Sequence, residues 1–280
     1  MQKSSTGWIY RGIKMFYNIQ KGSIKQDESE TGYISFGKGK KILVIIPGVS
    51  LRNATDSAMA LAYMYRLFSK DYKVYVFDRK KVLKNGYTIE EMAADITYAM
   101  KELKIKNADI FGVSQGGIIA QYLAINNPEM VHKLVLGVTA SKTNKVIKEV
   151  IGSWLKMALD NNYGLLAEDM MLKMYSASYV KRYKWLFPLL KKIAKPKDTR
   201  RFTIILKACL SFNTYDRLDK IKCPVLVLGG SKDKVVTGEA SVETAEKLNC
   251  HIYMYKDLGH AAYEEAKDFN SRIYKFLNKN

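Results

Sequence analysis

The chain of 280 residues is 48% hydrophobic and 26% charged, ordinary for a globular protein that buries about 75% of its unfolded surface, which excludes wholesale disorder, collagen and a fold dependent on disulfides or metal. Three widely spaced cysteines form no CxxC pair, and three histidines are too few for a multi-histidine metal centre. Forty-six Lys and Arg against 27 Asp and Glu leave a charge of +19; the basic blocks are interleaved with apolar residues and match no zinc-finger, RNP-like or basic-zipper pattern, so no nucleic-acid partner is expected, while weak association with an anionic membrane stays open.

In chain order, residues 1–32 read as an N-terminal basic and aromatic segment. Its stretch 8–19 either packs on its own domain or lies on a membrane surface, and Gly12 weakens it as a helix. From residue 33 strands and helices alternate. Residues 41–46 are a buried strand closed by Pro47-Gly48, 54–68 are apolar at helical spacing, and 73–77 form the next strand. Thr88 and Glu91 make a capping box that opens a helix to about residue 103. A strand at 109–113, a helix at 116–127 stopped by Pro128 and a strand at 133–138 follow. This order predicts an α/β fold, a mostly parallel sheet with helices on both faces. The rhythm then breaks: residues 141–216 carry helical stretches without a strand pattern and read as a helical cap. Strands at 224–228 and 251–255 and a helix at 263–277 restore it, so 33–140 and 217–280 form one core. No stretch is apolar enough to span a membrane and no signal peptide is evident, so a cytoplasmic location is expected.

The sharpest local signal is Gly112-Val-Ser114-Gln-Gly116, placed between a buried strand and a helix. A turn this tight tolerates no side chain at Gly112 or Gly116, and it lifts the Ser114 hydroxyl above the strand ends. A serine hydroxyl needs a base. His260, in the loop after the last strand, lies at the carboxyl edge where parallel sheets build their sites, whereas His132 and His251 begin strands at the opposite edge. The imidazole needs a carboxylate. Asp233, just past residues 224–228, fits best, with Asp78 and Asp257 as alternatives. The oxyanion requires two donors: the Gln115 amide, and the Val49 amide with Ser50 in reserve. Trp154, Met157 and Met174 of the cap are candidate substrate contacts, and no metal ligands are expected.

The elbow at 112–117, the Pro47-Gly48 loop, Asp233 in Gly-Gly-Ser-Lys-Asp-Lys and Leu258-Gly-His260 together resemble the α/β-hydrolase superfamily. The resemblance covers about residues 33–277 and is strongest to small, capped, cytoplasmic bacterial members such as esterases and lactonases. It implies an eight-stranded sheet, a cap inserted after the sixth strand, and no cofactor. One departure is Pro47-Gly48, where many members carry His-Gly. The resulting expectation is a serine hydrolase cleaving a carboxylic ester or related acyl bond of a small-molecule acyl substrate. The alternatives are an acyltransferase or carbon–carbon bond hydrolase with the same triad, or a binding protein on this fold without turnover.

Overall fold

The computed structural model describes residues 17–279. The N-terminal aromatic and basic stretch before residue 17 therefore lies outside the described residues. Eight strands form one sheet in the order β1-β2-β4-β3-β5-β6-β7-β8. β1 (Gln20–Gln26) and β2 (Ser29–Phe36) make an antiparallel hairpin on one edge, and β2 pairs antiparallel with β4 (Tyr72–Lys80). The others run parallel: β3 (Lys41–Ile46), β5 (Ala108–Val113), β6 (Val131–Gly137), β7 (Val225–Gly230) and β8 (His251–Tyr255).

The hairpin corrects the boundary expected at residue 32, because the sheet begins at Gln20. β1 alternates exposed and half-buried positions, as an edge strand does, and Ile24 is its one apolar side chain against the core, too little for a hydrophobic signal. Its turn places Asp27 at φ +53°, a conformation that short polar side chains tolerate.

The central strands are apolar on both faces because both are covered. Along β3, Leu43 and Ile45 enter one hydrophobic cluster and Val44 and Ile46 the other. The first cluster is closed by α1 (Ala58–Met64) and α11 (Phe269–Asn278), the second by α2 (Ile89–Glu102), α3 (Gln115–Asn126) and α9 (Gly238–Leu248). Thr88 caps α2 as the sequence predicts, its side chain accepting from Glu91 N while Glu91 accepts from Thr88 N. The helix expected at 263–277 is instead two, α10 (Ala262–Glu265) and α11, separated by the extended Ala266. The break lets Phe269, Ile273 and Leu277 face the sheet while Glu264 and Glu265 reach the cap.

Between β6 and β7 the chain forms α4 (Lys145–Leu159), α5 (Tyr163–Met174), α6 (Ala177–Tyr183), α7 (Phe187–Ile193) and α8 (Thr199–Ala208). This helical insertion follows the sixth strand. β4 and β5 flank β3 on opposite sides, so successive connections diverge there and open a crevice at the strand ends.

Candidate active site

β5 ends at Val113 and α3 begins at Gln115, so a single residue makes the turn. That residue, Ser114, has φ +53° and ψ −122°, a strained backbone for an L-residue. Its neighbours must be glycine: a Cβ on Gly116 would lie 1.9 Å from Ile46 O, and one on Gly112 2.4 Å from Gly116 O. The strain is held by hydrogen bonds. Ser114 N donates to Gly137 O (2.9 Å), and Ser114 O accepts from Gly117 N (2.8 Å) and Thr139 Oγ1 (2.7 Å). A serine at a helix N-cap ordinarily turns its hydroxyl onto the first-turn amides. Ser114 makes no such bond; its Oγ lies 2.9 Å from His260 Nε2.

His260 is buried, at 3% exposure, and its Nδ1 lies 2.8 Å from Asp233 Oδ2. The other oxygen of Asp233 accepts from Val235 N (2.7 Å) and Val236 N (3.0 Å), which fixes the carboxylate's orientation. The two loops are stitched together by Lys232 N donating to Leu258 O at 2.9 Å. The alternative carboxylates lie elsewhere. Asp78 accepts from Thr55 N, and Asp257 is an exposed partner of Lys232. His132 bonds to Asp109 at the start of β6, and His251 is exposed at the start of β8.

Gly48, Val49, Ser114, Gln115 and His260 line one cavity, and Ser50 does not. Behind this loop lies Arg79, a residue the sequence reading passed over. It is 6% exposed; its Nη2 donates to Pro47 O (2.6 Å) and to Gln115 Oε1 (3.0 Å), and its Nε to the same Oε1 (3.2 Å). Burial draws its guanidinium down to about 10, which leaves it charged at neutral pH. Gln115 Nε2 in turn donates to Ile205 O (3.0 Å) and Cys209 Sγ (3.1 Å) at the end of the cap. One cation thus ties together the loop after β3, the residue after the serine and α8. In a run reading Arg79-Lys80-Lys81, only its place at the end of a buried strand distinguishes it from a solvated basic residue.

The cavity over Ser114 is small, about 40 Å³, and mostly apolar, with Ile118, Ile147, Ile151, Trp154, Met170 and Met174 among its walls. Trp154 and Met174 are therefore at the site, but Met157 is not and is removed from the candidates. On α4 the stripe Ile147, Ile151, Trp154 faces the cavity at helical spacing; Met157 sits about a quarter-turn off it, half-buried against the core. That stripe was the signal that would have found Ile147 and Ile151. Trp154 is held by its Nε1 donating to Asp169 Oδ2 at 2.7 Å. Cys209 also lines the cavity, but burial pushes its thiol up to about 12, so it is no nucleophile at neutral pH. Among the described residues no three His, Cys, Asp or Glu side chains converge as a metal site requires.

Residues 54–267 match the family described as alpha/beta hydrolase fold. The chain is 22% identical over 224 residues to 3-oxoadipate enol-lactonase 2 of Acinetobacter baylyi, covering 78% of this chain and 81% of that protein. It is 27% identical over 280 residues to the 2-hydroxy-6-oxononadienedioate/2-hydroxy-6-oxononatrienedioate hydrolase of Paraburkholderia xenovorans, covering 94% of both. The crystal structure of the enol-lactonase from Burkholderia xenovorans LB400 superposes with a TM-score of 0.80 at 20% identity, over 92% of this chain and 100% of that one.

Proposed function

The chain belongs to the α/β-hydrolase fold family, and on that premise we propose that it is a serine hydrolase cleaving a carboxylic ester or lactone of a small, partly apolar substrate. The observation that carries this reading is the continuous line of contacts from Ser114 Oγ to His260 Nε2 (2.9 Å) and from His260 Nδ1 to Asp233 Oδ2 (2.8 Å). His260 takes the hydroxyl proton as Ser114 attacks the acyl carbon, and Asp233 keeps the proton on Nδ1 and stabilises the imidazolium. The amides of Gln115 and Val49 receive the oxyanion, the first of them at the positive end of α3. His260 then protonates the leaving oxygen, forming the acyl-enzyme, and activates a water that releases the acid. The cavity has room for only a few water-sized groups, which favours a short acyl portion.

A second reading, carbon–carbon bond hydrolysis by the same three residues, is favoured by the extent of the match to the Paraburkholderia xenovorans hydrolase. A panel of C2 to C8 p-nitrophenyl esters, lactones and vinylogous diketone acids, offered to wild type and Ser114→Ala, separates the two. The expected result is turnover of short esters or lactones that falls by about 10⁴ or more in Ser114→Ala. Turnover confined to the diketone acids would replace the first reading with the second. Undiminished turnover in Ser114→Ala would remove Ser114 as nucleophile.

A further inference from the structure

The outer face of the cap is strongly basic. From residue 170 to residue 197 the chain carries Lys173, Lys181, Arg182, Lys184, Lys191, Lys192, Lys195 and Lys197 and not one Asp or Glu. Lys173, Lys191 and Lys197 pair with Asp169, Glu168 and Asp56. The other five have no ion-pair partner among the described residues.

The same stretch exposes apolar side chains in register. A 3₁₀ turn at Lys184–Leu186 runs directly into α7. Phe187 and Ala194 are buried and Leu190 half-buried, which fixes the inward face. Trp185, Leu189 and Ile193, spaced by four, form the outward stripe, and they are 74%, 56% and 49% exposed. Isolated exposed leucines are ordinary, but a tryptophan heading a four-residue stripe among unpaired cations is not. Apolar residues with an indole on one face, flanked by lysines, are the composition of a helix that lies in the plane of a bilayer interface. No helix among the described residues is long and apolar enough to cross a membrane, so contact is peripheral.

We propose that the α6–α7 face of the cap docks on an anionic lipid surface, Trp185, Leu189 and Ile193 entering the headgroup–acyl boundary while Lys181, Arg182, Lys184, Lys192 and Lys195 meet the lipid phosphates. Charge complementarity decides the occupant. A second copy would bring the same five unpaired cations against themselves, whereas each cation near an anionic bilayer strengthens partition about fivefold. The proposal does not depend on the catalytic reading.

The test is sedimentation of the full chain with phosphatidylcholine vesicles, with and without 30% phosphatidylglycerol, at low salt. Wild type and Ser114→Ala should sediment equally well with the anionic vesicles and poorly with the neutral ones. Neutralising two cations in K184Q/K192Q should weaken partition about 30-fold. Trp185→Ser with Leu189→Ser should weaken it and remove the blue shift of tryptophan fluorescence on binding. The melting curves of these variants should match that of wild type, which reports an intact fold. Equal partition into neutral vesicles, no sedimentation at all, or wild-type partition by both double variants overturns the proposal. So does light scattering showing a wild-type dimer that W185S/L189S dissociates, since the stripe would then be covered by another copy.

Discussion

Asp233→Asn tests the proposed acid through the way its carboxylate is held. Oδ1 accepts two backbone amides, from Val235 and Val236, and Oδ2 faces His260 Nδ1. An asparagine keeping the two amide bonds must put its carbonyl oxygen where Oδ1 was and turn its NH₂ toward the imidazole. His260 Nδ1 then becomes an acceptor, the proton moves to Nε2, and the ring can no longer take the proton of Ser114. Flipping the amide restores the tautomer but sets an NH₂ against two buried N–H groups. Each unsatisfied donor costs about 1–3 kcal/mol, so the competent state lies about 2–6 kcal/mol higher. That corresponds to a loss of about 30-fold to 10⁴-fold in kcat, the upper end matching the drop of about 10⁴ for the equivalent change in a serine protease. The assay is kcat and kcat/KM on a short p-nitrophenyl ester, with the melting curve as a control for folding. A folded variant that loses less than tenfold refutes the argument. Asp257→Asn, which touches only an exposed ion pair with Lys232, should leave kcat unchanged.

Arg79→Met should lower kcat about 10²-fold with little change in KM, because the loop bearing the Val49 amide loses its hold on Pro47 O. Stranding the two acceptors, Pro47 O and Gln115 Oε1, costs about 1–3 kcal/mol each, against which stands the relieved burial of a guanidinium, so a melting curve accompanies the kinetics. A rise in KM alone, measured on the same ester, would contradict a positioning role. Thiol reagents at pH 8 should leave activity intact for an hour. Burial raises the Cys209 thiol to about 12, so the thiolate is about one part in 10⁴ at that pH and grows only as pH rises toward 12. Rapid, substrate-protected inactivation by maleimide would show that the thiol is accessible and ionised.

The central strands and the elbow were legible because a strand covered on both sides must be apolar at every position, and because a one-residue turn must be flanked by glycine. The distal residues Asp233 and His260 were legible from topology, each following a strand at its carboxyl end. β1 was not, since an edge strand with a single apolar residue, Ile24, among Gln, Lys, Gly and Ser presents the same pattern as a loop. Met157 was misjudged because an apolar composition does not tell which side of α4 meets the cavity. Arg79 escaped because its meaning depends on two acceptors contributed by residues 32 and 36 positions away. The stripe on α7 required knowing that Phe187 and Ala194 are buried, after which the outward set follows from spacing.

The cap over Ser114 is sutured to the core on both sides of the cavity. Met174 O, at the end of α5, accepts from Ala261 N beside His260 (2.8 Å), and Ile205 O, on α8, accepts from the Gln115 side chain beside Ser114. An excursion that peels both helices away severs both sutures at once and slackens the histidine and the amide pair together. On the proposed reading, closure of the cap and competence of the site are therefore a single condition.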